Sequence, residues 1–399
     1  MLYNCILYFF LLLILISCGE SKPKEIPYQE ISKMNSTQLF DLENRVSNKK
    51  CLLEEYAIID IPIDSVSLNY SVYPVYYDAD TAHYYITGNK NQHSLDFYDL
   101  EKKKMIKRVH FAKDGADGIP NIGFFAIKTW DSIVFLPKFQ RQIVIANSTG
   151  KVLKRTNISI DFDDELRHSL NTPFVLKDDS IFVSKMKKKP SIEMVGMNTI
   201  SGLNIYDGKF VEFGPKLPVA FEQRIAPVGG ESPHFALVGT TISVRFGLLS
   251  VIYQYDMKSN QTAIFPLKSK YQKQAITLSD YTNHQNMVLE VGEKQDYEKS
   301  SYQKLMYDPY REVYYSIFVE GIPLFDEKTG KKNDYEDRPI SIIIADKDFR
   351  YMGEKRLGVG YFRNFLVTKD GLLVSNAHPK NPHYQEDMLS FTLFKLKYQ

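Results

Sequence analysis

Cys18 is the residue of this 399-residue chain whose setting most directly implies chemistry. It follows Leu15-Ile16-Ser17 at the end of the eleven-residue apolar run Ile6–Ile16. An aliphatic residue, a small residue and then cysteine behind a signal core is the bacterial lipobox arrangement, in which the thiol receives a lipid. The run is too short to span the ~30 Å hydrocarbon core as a helix and has the length of a signal-peptide core. No Lys or Arg precedes it, which departs from the usual pattern. The expectation is a lipoprotein signal peptide over 1–17, then lipidated Cys18 and a flexible, polar tether over 18–37. Cys5 leaves with the signal, so Cys51 is the lone thiol of the mature chain and no intramolecular disulfide can form.

Elsewhere the motifs of familiar catalysts, HExxH, GxSxG, the P-loop, GxGxxG and CxxC, are absent. His378 and His383 are the nearest imidazole pair, but NAHPKNPHY is broken by prolines and reads as a surface loop. Asp161, Asp163, Asp164 and Glu165 in DFDDE offer hard oxygen ligands for calcium, yet the EF-hand spacing and glycine are missing. A solvated acidic loop is expected there. KMKKKP, Lys185 to Pro190, reads as a connecting loop, with contact to anionic headgroups or glycans as the electrostatic alternative. No metal and no cofactor are therefore expected. Fifty Lys and Arg against 48 Asp and Glu leave a formal charge of +2. A generic nucleic-acid binder needs a more concentrated basic surface, so no nucleic-acid partner is expected.

The elements that must position any site are strands. Past residue 50, short runs of Val, Ile, Tyr and Phe are punctuated by Gly, Asn, Asp and Pro, with no long 3.6-residue period. An apolar strand ending in Asp or Asn recurs as DFYD at Asp99, VIAN at Asn147, NIYD at Asp207, YQYD at Asp256 and IIAD at Asp346. Each ending carries hairpin-turn chemistry. A strand, tight turn and strand precede it, as in FFAIKTWDSIVFL from Phe124, and in the matched pair YDADTAHYY from Tyr77 and YDPYREVYY from Tyr307. Together these make a four-stranded propeller blade.

The expected fold is all-β, a six-bladed β-propeller occupying 38–399 as one domain, with five or seven blades as alternatives. The approximate blades are Val72 to His110, Ile122 to Arg155, Thr172 to Phe213, Pro233 to Pro266, Ser301 to Leu357, and Tyr361 to Lys397. The last runs out after three strands, while Leu52 to Ile63 has no local blade to join. That N-terminal strand is expected to close the ring, since an open blade would expose an unpaired edge.

In a propeller, the connections between second and third strands and from blade to blade emerge on one face. All the long connections of this chain belong to that class, and long loops on a rigid scaffold are where binding residues usually sit. Polar residues just before the inner strands should converge at the channel mouth. Asp117, Asn121, Arg224, Glu231, His234 and Arg363 are the candidate ligand-binding residues, each equally suited to a structural hydrogen-bond network. No catalytic residue stands out.

LISC at the signal, DGADGIPNIGFFAIKTWDSIVFLP, YDPYREVYY and IIIADKDFRYMGE carry a resemblance that covers nearly the whole mature chain. They resemble the uncharacterised propeller-type lipoproteins of Bacteroidota grouped as domain of unknown function family 4221. The resemblance implies a lipid-anchored outer-membrane protein with a propeller fold, and it supplies no catalytic residue, cofactor or substrate. The expected function is non-enzymatic binding of an envelope protein, peptide or glycan through the long-loop face. The alternative is an envelope carbohydrate hydrolase or lyase with carboxylates drawn from different blades. A third class is a scaffold for assembly.

Overall fold

The computed structural model describes residues 27–70, 73–79, 82–137, 140–161, 163–167, 174–187, 194–221, 233–276, 289–362 and 364–399. The first strand, β1 (Cys51–Pro62), is followed by blade 1, β2 (Val75–Ala79), β3 (Ala82–Asn89), β4 (Ser94–Asp99) and β5 (Lys104–His110). Blade 2 is β6 (Phe125–Thr129), β7 (Ser132–Phe135), β8 (Gln142–Ala146) and β9 (Val152–Asn157). Blade 3 has an interrupted inner strand, β10 (Asp164–Arg167) and β11 (Val175–Lys177), both paired with β12 (Ser180–Lys187), then β13 (Asn198–Asn204) and β14 (Phe210–Lys216). Blade 4 is β15 (Pro233–Val238), β16 (Thr241–Phe246), β17 (Val251–Asp256) and β18 (Gln261–Pro266). Blade 5 is β19 (Ser301–Asp308), β20 (Val313–Val319), β21 (Ile340–Asp346) and β22 (Tyr351–Gly358). Blade 6 is β23 (Phe365–Val367), β24 (Leu372–Ser375) and β25 (Met388–Tyr398), with β1 as its outer strand.

Closure by the N-terminal strand is thus as the sequence predicts. β1 runs antiparallel to β25 over eleven residue pairs, from Cys51 opposite Tyr398 to Pro62 opposite Met388. Packing makes the same point. Six buried apolar clusters occupy the six gaps between neighbouring blades, including one that joins Leu373, Leu389 and Phe391 of blade 6 to Tyr85 and Tyr98 of blade 1. An open arc of six blades would have five such interfaces.

The period of two explains the apolar strands. Ile342 and Ile344 pack towards blade 6, whereas Ile343 and Ala345 pack towards blade 4. A strand buried on both faces has no polar side to show, so it reads as a continuous apolar run. Turns need specific chemistry as well. Gly208 has φ +68°, and a Cβ there would sit 2.2 Å from the Asn157 carbonyl oxygen of the preceding blade.

One boundary differs from expectation. Part of the segment read as a tether is docked: Ile31, in the helical turn Tyr28–Ile31, is buried in the same cluster as Leu39, against blades 3 and 4. Within the segment itself Ile31 is buried and Met34 packs partly buried on the same cluster, an apolar surface in the gap between those blades.

Candidate ligand-binding channel

The six inner strands surround a channel of about 700 Å³. Tyr76, Ile127, Leu176, Leu237, Met306 and Leu366 represent its wall, one from each blade. Near the long-loop end Tyr73 and Phe124 meet with ring centroids 4.0 Å apart. Tyr310, at the tight-turn end, is 41 % exposed. Among the described lining residues there is no carboxylate, and Lys304 is the one with a charged side chain.

Lys304 is placed by a defect in β19. Gln303 pairs with Ile317 and Leu305 with Ser316, so Lys304 is the extra residue of a β-bulge, with φ +50°. The extra residue flips the side-chain parity, which lets Tyr302, Leu305 and Tyr307 all pack towards blade 4. The Lys304 side chain is buried, and Nζ donates to the Phe365 carbonyl oxygen of blade 6 at 2.8 Å. An ammonium has three donors, and this is the bond it makes among the described residues. Burial, with no anionic neighbour, pushes its pKa down to about 8.

The tight-turn rim is stitched together. Arg311 donates to the carbonyl oxygens of Thr368 and Lys369 at 3.1 and 2.7 Å, and Lys177 donates to that of Gly239. Burial, reinforced by the bond to Asp78, holds the Tyr310 phenol above its ordinary pKa.

Of the candidate residues named from sequence, the three that are described, Asp117, Asn121 and His234, do not line the channel. Asp117 Oδ1 accepts from Val152 N at 3.0 Å, because its loop folds back on the outer edge of blade 2, where Arg155 also donates to the carbonyl oxygens of Ala116 and Gly118. Asn121 Oδ1 accepts from Gly123 N at 2.9 Å and braces its own turn. His234 is buried in β15 opposite Arg245, and none of these three lines the channel. Arg224, Glu231, Arg363 and Cys18 lie outside the described residues.

Three loop readings change. Asp164 is not in a solvated acidic loop: it is buried in β10, with Lys185 Nζ at 3.1 Å and Lys187 Nζ at 2.7 Å. Burial raises its pKa, but the bonds to Lys187 and Lys185 outweigh this and the net shift is downward. One carboxylate of the acidic run is therefore neutralised by two lysines of the basic run across one strand pair, the β10–β12 register setting Asp164 opposite Lys187, while Asp161 and Asp163 are exposed as expected. Lys188, Lys189 and Pro190 lie outside the described residues. His378 is likewise buried rather than on a surface loop, its Nδ1 accepting from Lys380 N at 3.1 Å and its ring 5.0 Å from that of Phe362. Cys51 is buried too, and burial pushes its thiol up to about 11, the state of an unreactive cysteine. Among the described residues no group of three or more His, Cys, Asp or Glu side chains is arranged to hold a metal.

Lys304 and Arg245 escaped the sequence reading. Arg245 is fully buried, donates to the Leu267 carbonyl oxygen at 2.7 Å and lies 4.0 Å over the Tyr302 ring. The available signal was a lone basic residue inside a strand-like run, as in SVRF and YQKLMY.

Curated proteins offer no match to the sequence. A putative exported protein from Bacteroides fragilis aligns over 89 % of this chain and 98 % of its own at 10 % identity, with a TM-score of 0.49. A crystal structure of a DUF4221 family member from Bacteroides vulgatus aligns over 88 % of this chain and all of its own at 18 % identity, with a TM-score of 0.75, and shares the fold. The family model described as a domain of unknown function, DUF4221, matches residues 50–356, which span five of the six blades and the closing strand, and the chain belongs to that family.

Proposed function

We propose that this protein is a non-enzymatic binding module, held at the bacterial outer membrane by a lipid on Cys18, on either the periplasmic or the surface-exposed face. Its ligand is an envelope protein, a peptide or a small apolar molecule, engaged by the long-loop face and the channel beneath it. The observation that carries this reading is the composition of the channel: apolar and aromatic residues from all six inner strands, and no carboxylate among those described. Hydrolysis of a glycosidic bond by carboxylates would require two of them ~5 to 9.5 Å apart. An apolar wall favours burial of an apolar group over recognition of a hydroxyl-rich glycan, which weakens the carbohydrate-hydrolase alternative.

The neutral dye N-phenyl-1-naphthylamine, whose emission rises in apolar surroundings, tests it on the mature chain. Saturable binding near one dye per protein is expected, weakened at least tenfold in Val238→Trp, which fills part of the channel. Non-saturable binding, or an unchanged affinity in the variant, would overturn the channel as the site. Turnover of peptidoglycan fragments by the unmodified protein would overturn the non-enzymatic reading.

A further inference from the structure

Lys304 costs this protein stability in two ways. Its αL backbone conformation is unfavourable for a residue with a Cβ, and its ammonium is buried with one carbonyl oxygen as its hydrogen-bond partner among the described residues. A methionine would fill the same space without the charge. A costly residue in the lining of a cavity points to a ligand that completes its bonding.

Resting on the channel as a binding site, we infer that it takes a monocarboxylic acid with an apolar tail, the carboxylate meeting Lys304 Nζ and the tail lying along the inner strands. Charge sets the head group. One cation in an apolar enclosure neutralises one anionic charge, whereas a phosphate dianion would keep an uncompensated charge and lacks an Arg fork to hold it. Nζ retains two protons beyond its bond to Phe365, enough for both oxygens of a carboxylate. Volume sets the tail. About 700 Å³ lies within the ~300–1,000 Å³ range of small-molecule sites. Leu305 and Met306, neighbours of the lysine in β19, and Leu366, next to Phe365 in β23, also line the channel.

Decanoate and decanol share a tail and differ in the head group, so calorimetric titration of both into the mature chain at neutral pH isolates the head. The unmodified protein should bind decanoate roughly tenfold or more tightly than decanol, as a charge-assisted hydrogen bond in an apolar site implies. Lys304→Met should abolish or reverse that preference while retaining decanol, and should be more stable than the parent when no ligand is present. A purely structural lysine would instead lose stability on the same change. Should Lys304→Met precipitate, Lys304→Gln carries the same comparison, since it keeps a polar end without the charge. Equal binding of acid and alcohol by the parent, or an acid preference that survives loss of the charge, would overturn the assignment of Lys304 alone. Failure of decanoate, decanol and the neutral dye together would overturn the channel reading beneath it.

Discussion

Tyr310 donates its hydroxyl to Asp78 Oδ2 at 2.9 Å, joining two turns that lie 232 residues apart in sequence. These are the two copies of the repeated YD turn, in blades 5 and 1, and the bond passes the turn of blade 6. There Lys369 N donates to Tyr76 Oη at 3.4 Å. The three blades nearest the chain ends are laced together at the channel rim. Tyr310→Phe should therefore lower the unfolding free energy by about 1 kcal/mol, the usual net worth of one partly exposed hydrogen bond, as read by urea titration. No change would mean that the lacing bears no load.

Closure by β1 predicts that the two ends of the domain unfold together. Removing residues up to Ile63 deletes the strand paired with β25 and strips Leu53 and Ile61 from two interblade cores. Aggregation and a large loss of thermal stability are expected, because an unpaired edge and an apolar face are exposed. Removing residues only up to Ser36 forfeits Ile31, worth about 2 kcal/mol, and leaves the ring closed. Equal thermal stability and equal sedimentation behaviour of the two truncations would contradict the coupling.

Lys304 gives the protein a pH dependence of known sign. Its pKa is about 8 when folded and near 10.5 when unfolded, so between those values the unfolded chain holds more protons. Stability must then rise with pH across that window, by up to about 3 kcal/mol. The difference in unfolding free energy between the parent and Lys304→Met isolates this contribution from other titrating groups. A difference that stays flat from pH 7 to pH 10.5 would show that the ammonium is not desolvated.

Asp164→Ala leaves Lys185 buried beside a partly exposed Glu212 alone. Breaking one side of a buried ion pair typically costs about 3 kcal/mol, so a marked fall in the denaturation midpoint is expected. Asp163→Ala, next to it in sequence and exposed, should be nearly silent and serves as the control. Equal effects of the two changes would contradict the burial of the Asp164 pair.

Cys18→Ala should abolish incorporation of radiolabelled lipid and move the protein out of the membrane fraction. The motive is the lipobox behind the apolar run Ile6–Ile16. Undiminished labelling of the variant would refute lipidation at that residue.

The amino-acid sequence determined the architecture because propeller information is local and repeated. Alternation reports which residues are buried, Asp, Asn and Gly mark the hairpins, and the spacing of YDADTAHYY and YDPYREVYY places Tyr77 opposite Tyr84 and Tyr307 opposite Tyr314. Even ring closure was legible, since a strand without a blade and a blade without a strand can satisfy only each other. The channel was not. Its chemistry depends on a bulge that reverses side-chain parity at Lys304 and on the Phe365 carbonyl oxygen, delivered by another blade. The pairing of Asp164 with Lys185 and Lys187 depends on strand register in the same way. Asp117 and Asn121 looked like mouth residues because chain position put them ahead of an inner strand, but backbone donors nearby claimed their oxygens. Which polar group meets a ligand and which meets its own backbone is settled by distances across blades, and only the tertiary structure sets those distances.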